Sequence, residues 1–300
     1  MRFAVERSYA WSAEVLKEIC GMELGRMRLW KVIQQEGQKE QARIEEERKK
    51  VFEEARGERE TRQGQRPAVV QMDGTMIASR EGIERDEFGR KRMEVKLGVL
   101  FCGTVPEGKR RRRTVQRRVY ARVTEAESFG EQWYTHCCLN GLGSCEPVHV
   151  VGDGATWIRN VQRAMFPGSR YTLDLYHLKE NARRVLLDRQ QENFLSLVNA
   201  NQAQAALRYL KQLHPSDKRH TEELRTFQSY VEENIDGMQY STTDVRGSGV
   251  IEKVADMVVK KRMKRQGMSW TRRGANNILA LRARCINDQR RKIDLSVIPI

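Results

Sequence analysis

The chain has 300 residues, 39 % of them hydrophobic and 32 % charged, and Lys and Arg outnumber Asp and Glu by 55 to 40 for a net charge of +15. That is enough chain and enough apolar content for a buried core in one large domain or two modest ones, which excludes a disordered polymer. The charge excess speaks about partners, and nucleic acid is the partner expected, with no membrane. No run of about 18 apolar residues is present to span a bilayer. The first residues, broken by Glu6, Arg7 and Glu14, lack the apolar core of a signal peptide.

Residues 9–36 read as two short helices around a turn at Gly21, with Trp11, Val15, Leu16 and Ile19 at helical spacing in the first and Leu29, Val32 and Ile33 in the second. This is the outline of a helix-turn-helix, and a plain helical hairpin fits the same pattern. Arg26, Arg28 and Lys31 on the second helix favour DNA. Residues 37–66 are almost all charged or Gln, with Glu-to-Lys/Arg spacings that suit an exposed helix, and a linker ends at Gly64 and Pro67.

From Pro67 the period changes to that of strands. "AVVQMDGTMIA" and "EVKLGVLFCG" are strands, "PEGKR" is a turn, and "TVQRRVYARV" alternates as a third strand. "SFGEQWYTHCCLNGL" is helical, "PVHVVGDG" is a fourth strand, "ATWIRNVQRAMF" a helix and "RYTLDLYHL" a fifth strand. Residues 179–245 then read as helices, a loop "STTDVRGSG" leads into "VIEKVADMVVKKRMKRQG", and a last helix runs over about 274–290. The first three strands, joined by turns, are expected antiparallel, and helical crossovers make the later ones parallel. The predicted fold class is α/β, a ribonuclease H-like mixed five-stranded sheet with a helical insertion, preceded by a helix-turn-helix-like N-terminal region.

The predicted organisation is a DNA-binding region over 1–36, a charged helical linker over 37–66, the first part of the core over 67–178, an all-helical insertion over 179–245, and C-terminal helices over 246–300 that complete the core. The six cysteines form no CxxC pair and no disulfide framework, which suits a reduced compartment. "HCCLNGLGSCEPVH" gathers His136, Cys137, Cys138, Cys145 and His149. It reads either as a zinc site of uncommon spacing or as half-buried cysteines.

In open sheets with crossover helices, functional groups gather at strand ends. Asp73 lies in "QMDGTM" on the first strand, Asp153 follows the fourth in "VVGDGA", Asp174 lies in "TLDLYH" on the fifth, and Glu252 falls in the first turn of the helix after "RGSG". Each alone has a plainer reading. Asp-Gly is a common turn pair, Glu252 suits a helix N-terminus, and Asp174 is able to hydrogen-bond His177. Together, in the order the fold requires, they form a carboxylate cluster. Neighbouring carboxylates repel, and a divalent cation relieves that repulsion, so Mg²⁺ or Mn²⁺ is the expected cofactor.

"QMDGTMI", "VVGDGATWI", "FPGSRYTLDLYHLKEN" and the long block "GSGVIEKVADMVVKKRMKRQGMSWTRRGANNILALRA" together resemble bacterial insertion-sequence DDE transposases of the ISKra and ISLre type, related to Mutator-like enzymes. The resemblance implies Asp73, Asp153 and Glu252 as the catalytic and metal-binding triad. The spacing of 99 from Asp153 to Glu252 resembles members with a helical insertion before the glutamate. Asp174 and His177 match an accessory motif near the site, with structural support as the preferred role and metal binding second. The implied activity is Mg-dependent cleavage at transposon ends and strand transfer into target DNA, by a homodimer in the DNA complex, in the bacterial cytoplasm with the nucleoid. Relatives carry a longer region before the helix-turn-helix, so a truncated copy is expected. A non-catalytic DNA-binding protein derived from such an enzyme is the alternative.

Two basic runs are expected to grip phosphates. One holds Lys109, Arg110, Arg111, Arg112, Arg113, Arg117 and Arg118, and also reads as a solvated hairpin tip. The other holds Lys260, Lys261, Arg262, Lys264 and Arg265, and is followed by Trp270, which suits either core packing or stacking on a flipped base.

Overall fold

The computed structural model describes residues 2–54, 67–82, 85–107, 111–145, 147–215, 217–242 and 247–295. Its strands are β1 (Ala68–Ala78), β2 (Arg92–Phe101), β3 (Thr104–Glu107), β4 (Arg111–Thr114), β5 (Arg118–Arg122), β6 (Val148–Gly152) and β7 (Arg170–Leu173). Five of them form one mixed sheet in the order β5-β2-β1-β6-β7. Pairing of β1 with β2 and of β2 with β5 is antiparallel, and that of β6 with β7 is parallel. This is the ribonuclease H-like arrangement that the alternation of strands and helices predicts. Val69, Val70, Met72 and Ile77 of β1 are buried, as a strand with neighbours on both sides requires.

The expected third strand is divided. Gln116 takes a positive φ of 52°, so "TVQRR" breaks there. β4 turns back on β3 as a separate two-stranded ribbon, and only β5 joins the main sheet. The expected fifth strand is also shorter, because Asp174 ends it by capping the helix that follows.

Contacts divide the chain into two compact units, Met1–Pro147 with Val250–Ile300, and Val148–Gly249. In the first, α1 (Arg2–Glu6), α2 (Tyr9–Cys20) and α3 (Arg26–Phe52) precede the strands, and α4 (Ala126–Cys138) follows β5. Gly21 ends α2 in the left-handed region, its N–H bonded to Lys17 and that of Met22 to Leu16, a Schellman cap. The turn expected there is present, but the apolar stripe of α2 is not covered within this unit, with Trp11 41 % and Ile19 73 % exposed.

α3 runs unbroken from Arg26 to Phe52, taking in the first part of the expected linker, whose residues 55–66 lie outside the described residues. Leu29, Ile33, Gly37 and Glu40 recur on one buried face, and that face packs on α12 (Arg272–Leu295). Gly37 permits the approach, since a Cβ there would sit 2.5 Å from the Cβ of Asn277. Glu40, buried, is paired with Arg43 and with Arg284 of α12 at 3.0 Å. The charge pattern described the outer face correctly and missed the docked one.

α12 also closes the free side of β5. Asn276 accepts from the N–H of Val123 at 2.8 Å and donates to its carbonyl at 3.0 Å, and Asn287 makes the same pair with Val119 at the same distances. Two amides three helical turns apart stand in for a neighbouring strand, which protects an edge otherwise open to pairing. Between the strands and α12 lie α10 (Gly249–Ala255), a π-helical turn over Asp256–Lys260, and α11 (Lys261–Met263).

In the second unit, α5 (Thr156–Met165) links β6 to β7, and α6 (Leu175–Val185), α7 (Asp188–Asn199), α8 (Ala203–Lys211) and α9 (Lys218–Glu233) follow. Phe194 and Val198 of α7, Leu210 of α8, and Phe227 and Val231 of α9 are buried, a helical core of its own. Among the described residues no helix is long and apolar enough to cross a membrane.

Candidate active site

Asp73 and Glu252 belong to the first unit. Asp73 lies mid-strand on β1 opposite Leu97 of β2, half-buried, and its Oδ1 accepts from the N–H of Gly74 at 2.7 Å. Glu252 is exposed in the first turn of α10. Gln71 fixes that turn to the strand, because its buried side-chain oxygen accepts from the N–H of Ile251 at 3.0 Å. The first N–H groups of a helix have no partner within it, so a side chain from the strand that supplies one sets the helix start. Glu252 forms no hydrogen bond or ion pair among the described residues, which leaves its carboxylate available.

One electrostatic neighbourhood includes both acids. The Lys260 ammonium is held above its ordinary pKa, first by its hydrogen bond to Asp256 at 2.7 Å and then by the charges of Asp73 and Glu252. Lys264 donates to the hydroxyl of Thr75 on β1 at 2.7 Å, and burial pushes its pKa down, with Lys260 and Arg92 adding to the shift. Glu252, Asp256, Lys260 and Lys264 recur every four residues, and the π-helical turn lies in the middle of that series. Asp256 and Gln71 were not singled out by sequence. The i+4 spacing of Asp256 from Glu252 was the signal available.

Asp153 and Asp174 belong to the second unit. Asp153 ends β6 and turns the chain, its Oδ1 accepting from the N–H of Ala155 at 2.9 Å. Its second oxygen has no hydrogen-bond partner among the described residues. Gly154 follows at φ +91°, a conformation that favours glycine, and a Cβ there would sit 2.5 Å from the Tyr230 ring. Tyr230 donates its hydroxyl to the Asp153 carbonyl at 2.7 Å, and Asn234, fully buried, donates to the Tyr230 carbonyl at 2.9 Å. The turn and ligand readings of Asp153 are therefore compatible: one oxygen makes the turn and the other stays open. Burial, with the charges of Asp153 and Asp174 adding, holds the Tyr230 phenol neutral by raising its pKa.

Asp174 is not a strand acid, as the sequence had suggested, but the N-cap of α6. Oδ1 accepts from Tyr176 N–H at 2.7 Å and His177 N–H at 3.4 Å, and Oδ2 from Ser248 N–H at 2.7 Å. It is fully buried and contacts the backbone of His177, while the His177 imidazole lies 3.8 Å from Glu180. Its charge is thus committed to the N–H groups at the start of α6 and to the segment leading into α10.

The basic runs fare unevenly. Lys109 and Arg110 lie outside the described residues, and Arg111, Arg112 and Arg113 fall on β4. Arg118 is half-buried. Lys260, Lys261, Lys264 and Arg265 are exposed, as a phosphate grip requires. Arg117 and Arg262 are corrections, at 4 % and 1 % exposure. Arg262 stacks under Tyr9 and Trp270 with ring-centroid distances of 5.1 and 5.3 Å, so its run presents a basic outer face and a buried guanidinium. The cysteines follow the plainer reading: Cys137 and Cys145 are buried, Cys145 Sγ contacts Cys102 Sγ at 3.1 Å, and among the described residues His136, Cys137, Cys138 and Cys145 form no metal-ligand group.

The mixed five-stranded sheet and its flanking helices define an α/β protein of ribonuclease H-like architecture. The chain belongs to the Uncharacterised protein family UPF0236, whose model matches residues 1–295. Among solved structures it is similar to the Drosophila P element transposase strand transfer complex, at 12 % identity and a TM-score of 0.25, over 80 % of this chain and 68 % of that one. No curated protein matches it.

Proposed function

We propose that the chain is a metal-dependent DNA transposase of the insertion-sequence DDE class, of the ISKra and ISLre type, in which Asp73, Asp153 and Glu252 hold divalent cations. The observation that carries this is the pair of open carboxylates: Glu252 makes no hydrogen bond or ion pair among the described residues, and Asp153 keeps one oxygen without a hydrogen bond, in a chain of net charge +15. Carboxylate oxygens are hard donors that fit Mg²⁺ or Mn²⁺ rather than softer ions. When bound, such ions activate water and stabilise charge at a phosphodiester. Asp174 is the less suitable ligand, because both of its oxygens already accept backbone N–H groups.

In this reading the residues divide the work. Gln71 fixes the first turn of α10, so that Glu252 is presented without searching for its place. Lys260 and Lys264 offset the charge of the acids and draw the DNA phosphate towards them. Water attacks the phosphorus at a transposon end, the 3′-oxygen leaves as a hydroxyl on the element side of the nick, and the 5′-phosphate remains on the flanking side of the same strand. That 3′-hydroxyl then attacks a target phosphodiester, displacing a second 3′-oxygen, with no covalent enzyme intermediate. α2 and α3 serve as the helix-turn-helix, Lys260, Lys261, Lys264 and Arg265 with the β3–β4 ribbon grip phosphates, and two copies work in the DNA complex, in the cytoplasm with the nucleoid. The test is cleavage of end-labelled DNA taken from the borders of the element that encodes the chain. Strand breaks that require Mg²⁺ and vanish with a chelator support the enzyme; tight binding without breaks at any divalent ion leaves the non-catalytic alternative.

A further inference from the structure

A cavity of about 600 Å³ in the first unit lies among α2, α3 and the segment between α11 and α12, outside the acidic residues described above. Three aromatic rings line it, Tyr9, Trp30 and Trp270, with Arg262 among them and Arg80 and Arg273 exposed beside them. Its size falls within the range of ordinary small-ligand pockets, about 300–1,000 Å³.

Arg262 is packed between aromatic rings with one N–H left over. Its side chain is 1 % exposed, its contacts are the π-faces of Tyr9 and Trp270 and the Met268 sulfur at 3.5 Å, and its Nε–H is buried with no acceptor. The Tyr9 hydroxyl is buried beside Gln34 and the Arg262 guanidinium. An Nε–H that has given up water without gaining an acceptor is costly, and an acceptor brought by a ligand would recover that cost. Trp270 is held firmly: its indole N–H donates to the Met263 carbonyl at 3.1 Å, its N–H to Ala78 at 3.0 Å, and its carbonyl accepts from Arg80 N–H at 2.9 Å. Trp30, by contrast, stands 42 % exposed at the end of the pocket formed by α3.

We propose that this cavity receives the base of an unpaired nucleotide of bound DNA, stacked on Trp30 and Trp270 with a base carbonyl accepting from Arg262, while Arg80 and Arg273 meet the adjoining phosphate. Flat aromatic walls, a buried planar donor and exposed cations match a keto-bearing base on an anionic backbone. The inference rests on the DNA-binding reading above and requires no cleavage.

The test measures binding by fluorescence anisotropy, in chelator, of one labelled duplex carrying a blunt end, a two-thymidine 3′ tail or an abasic 3′ tail of equal length. Base stacking predicts that the thymidine tail binds about tenfold tighter than the abasic one. Trp30→Ala, at an exposed position, brings the ratio of thymidine-tail to abasic-tail affinity to one, and Arg273→Ala weakens both tails relative to the blunt duplex. Equal affinity for thymidine and abasic tails, or a gain that survives Trp30→Ala, overturns the base pocket while blunt-duplex binding still stands. Failure of all three duplexes to bind overturns the DNA reading and the pocket with it.

Discussion

Gln71 accepts the N–H of Ile251 at 3.0 Å, and these two residues adjoin the candidate catalytic pair: Asp73 lies two positions beyond Gln71, and Glu252 one beyond Ile251. A single neutral hydrogen bond therefore ties the strand that carries one acid to the helix that carries the other. Gln71→Leu keeps the volume and leaves a buried N–H unsatisfied, at a cost of about 1–3 kcal/mol. Urea unfolding should register that loss, and DNA cleavage should fall further than the fraction unfolded accounts for. Unchanged stability and unchanged cleavage would show that the clamp does not set the helix start.

Gly37 makes a second prediction with an unusual sign. At an open helical site, Gly→Ala stabilises by about 1 kcal/mol. Here the added methyl would meet Asn277 at 2.5 Å, and overpacking of this kind costs about 1–3 kcal/mol. Gly37→Ala is thus expected to lower the thermal midpoint, and a rise would mean that α3 does not dock on α12 as described.

Asn276 and Asn287 are each expected to matter more than a surface amide. Removal of Asn287 leaves the N–H and carbonyl of Val119 on β5 unpaired and removal of Asn276 those of Val123 just past it, so Asn276→Ala should cost about 1–3 kcal/mol and expose a strand edge. The readout is a lowered unfolding midpoint with increased self-association by light scattering. A stable, monodisperse variant would contradict the edge-closing role.

His149, opposite Arg170 in the β6–β7 ladder, gives the pH dependence. Burial, and then the Arg170 charge, lower its pKa below the ordinary value of 6.5. The unfolded chain then binds more protons than the folded one, so stability rises with pH through that window and is lost as pH falls below about 6.5. His149→Asn should flatten the slope of unfolding free energy between about pH 5 and 6.5. A slope unaffected by the substitution would assign the acid sensitivity elsewhere.

Much of this architecture is legible in the sequence because it rests on apolar runs ended by turn residues. β1 announces itself as the apolar run "AVVQM", carried on through Asp73-Gly74 to Ala78, and β6 as "VHVV" ended by Gly-Asp-Gly, and the helical crossover between β6 and β7 sets their parallel pairing. What was hidden depends on contacts between distant segments. The buried face of α3 includes a glycine and a glutamate, which no hydropathy pattern marks as core. Asp174 sits within an apolar stretch that reads as strand, and only its bonds to Tyr176, His177 and Ser248 identify it as a cap. Arg262 looks like one more cation in "KKRMKR" until Tyr9, 253 positions earlier, is found beneath it. The triad acids were picked out by position in the strand order, and the open oxygen of Asp153 and the unengaged Glu252 are what the structure adds.

The most direct measurement is nicking of element-border DNA by the purified chain and its Asp153→Asn variant, side by side with Mg²⁺, alongside binding to the same DNA in chelator. Asparagine keeps an oxygen for the Ala155 turn and removes the negative charge, so the account predicts intact folding and binding with nicking abolished. Undiminished nicking by the variant would contradict it.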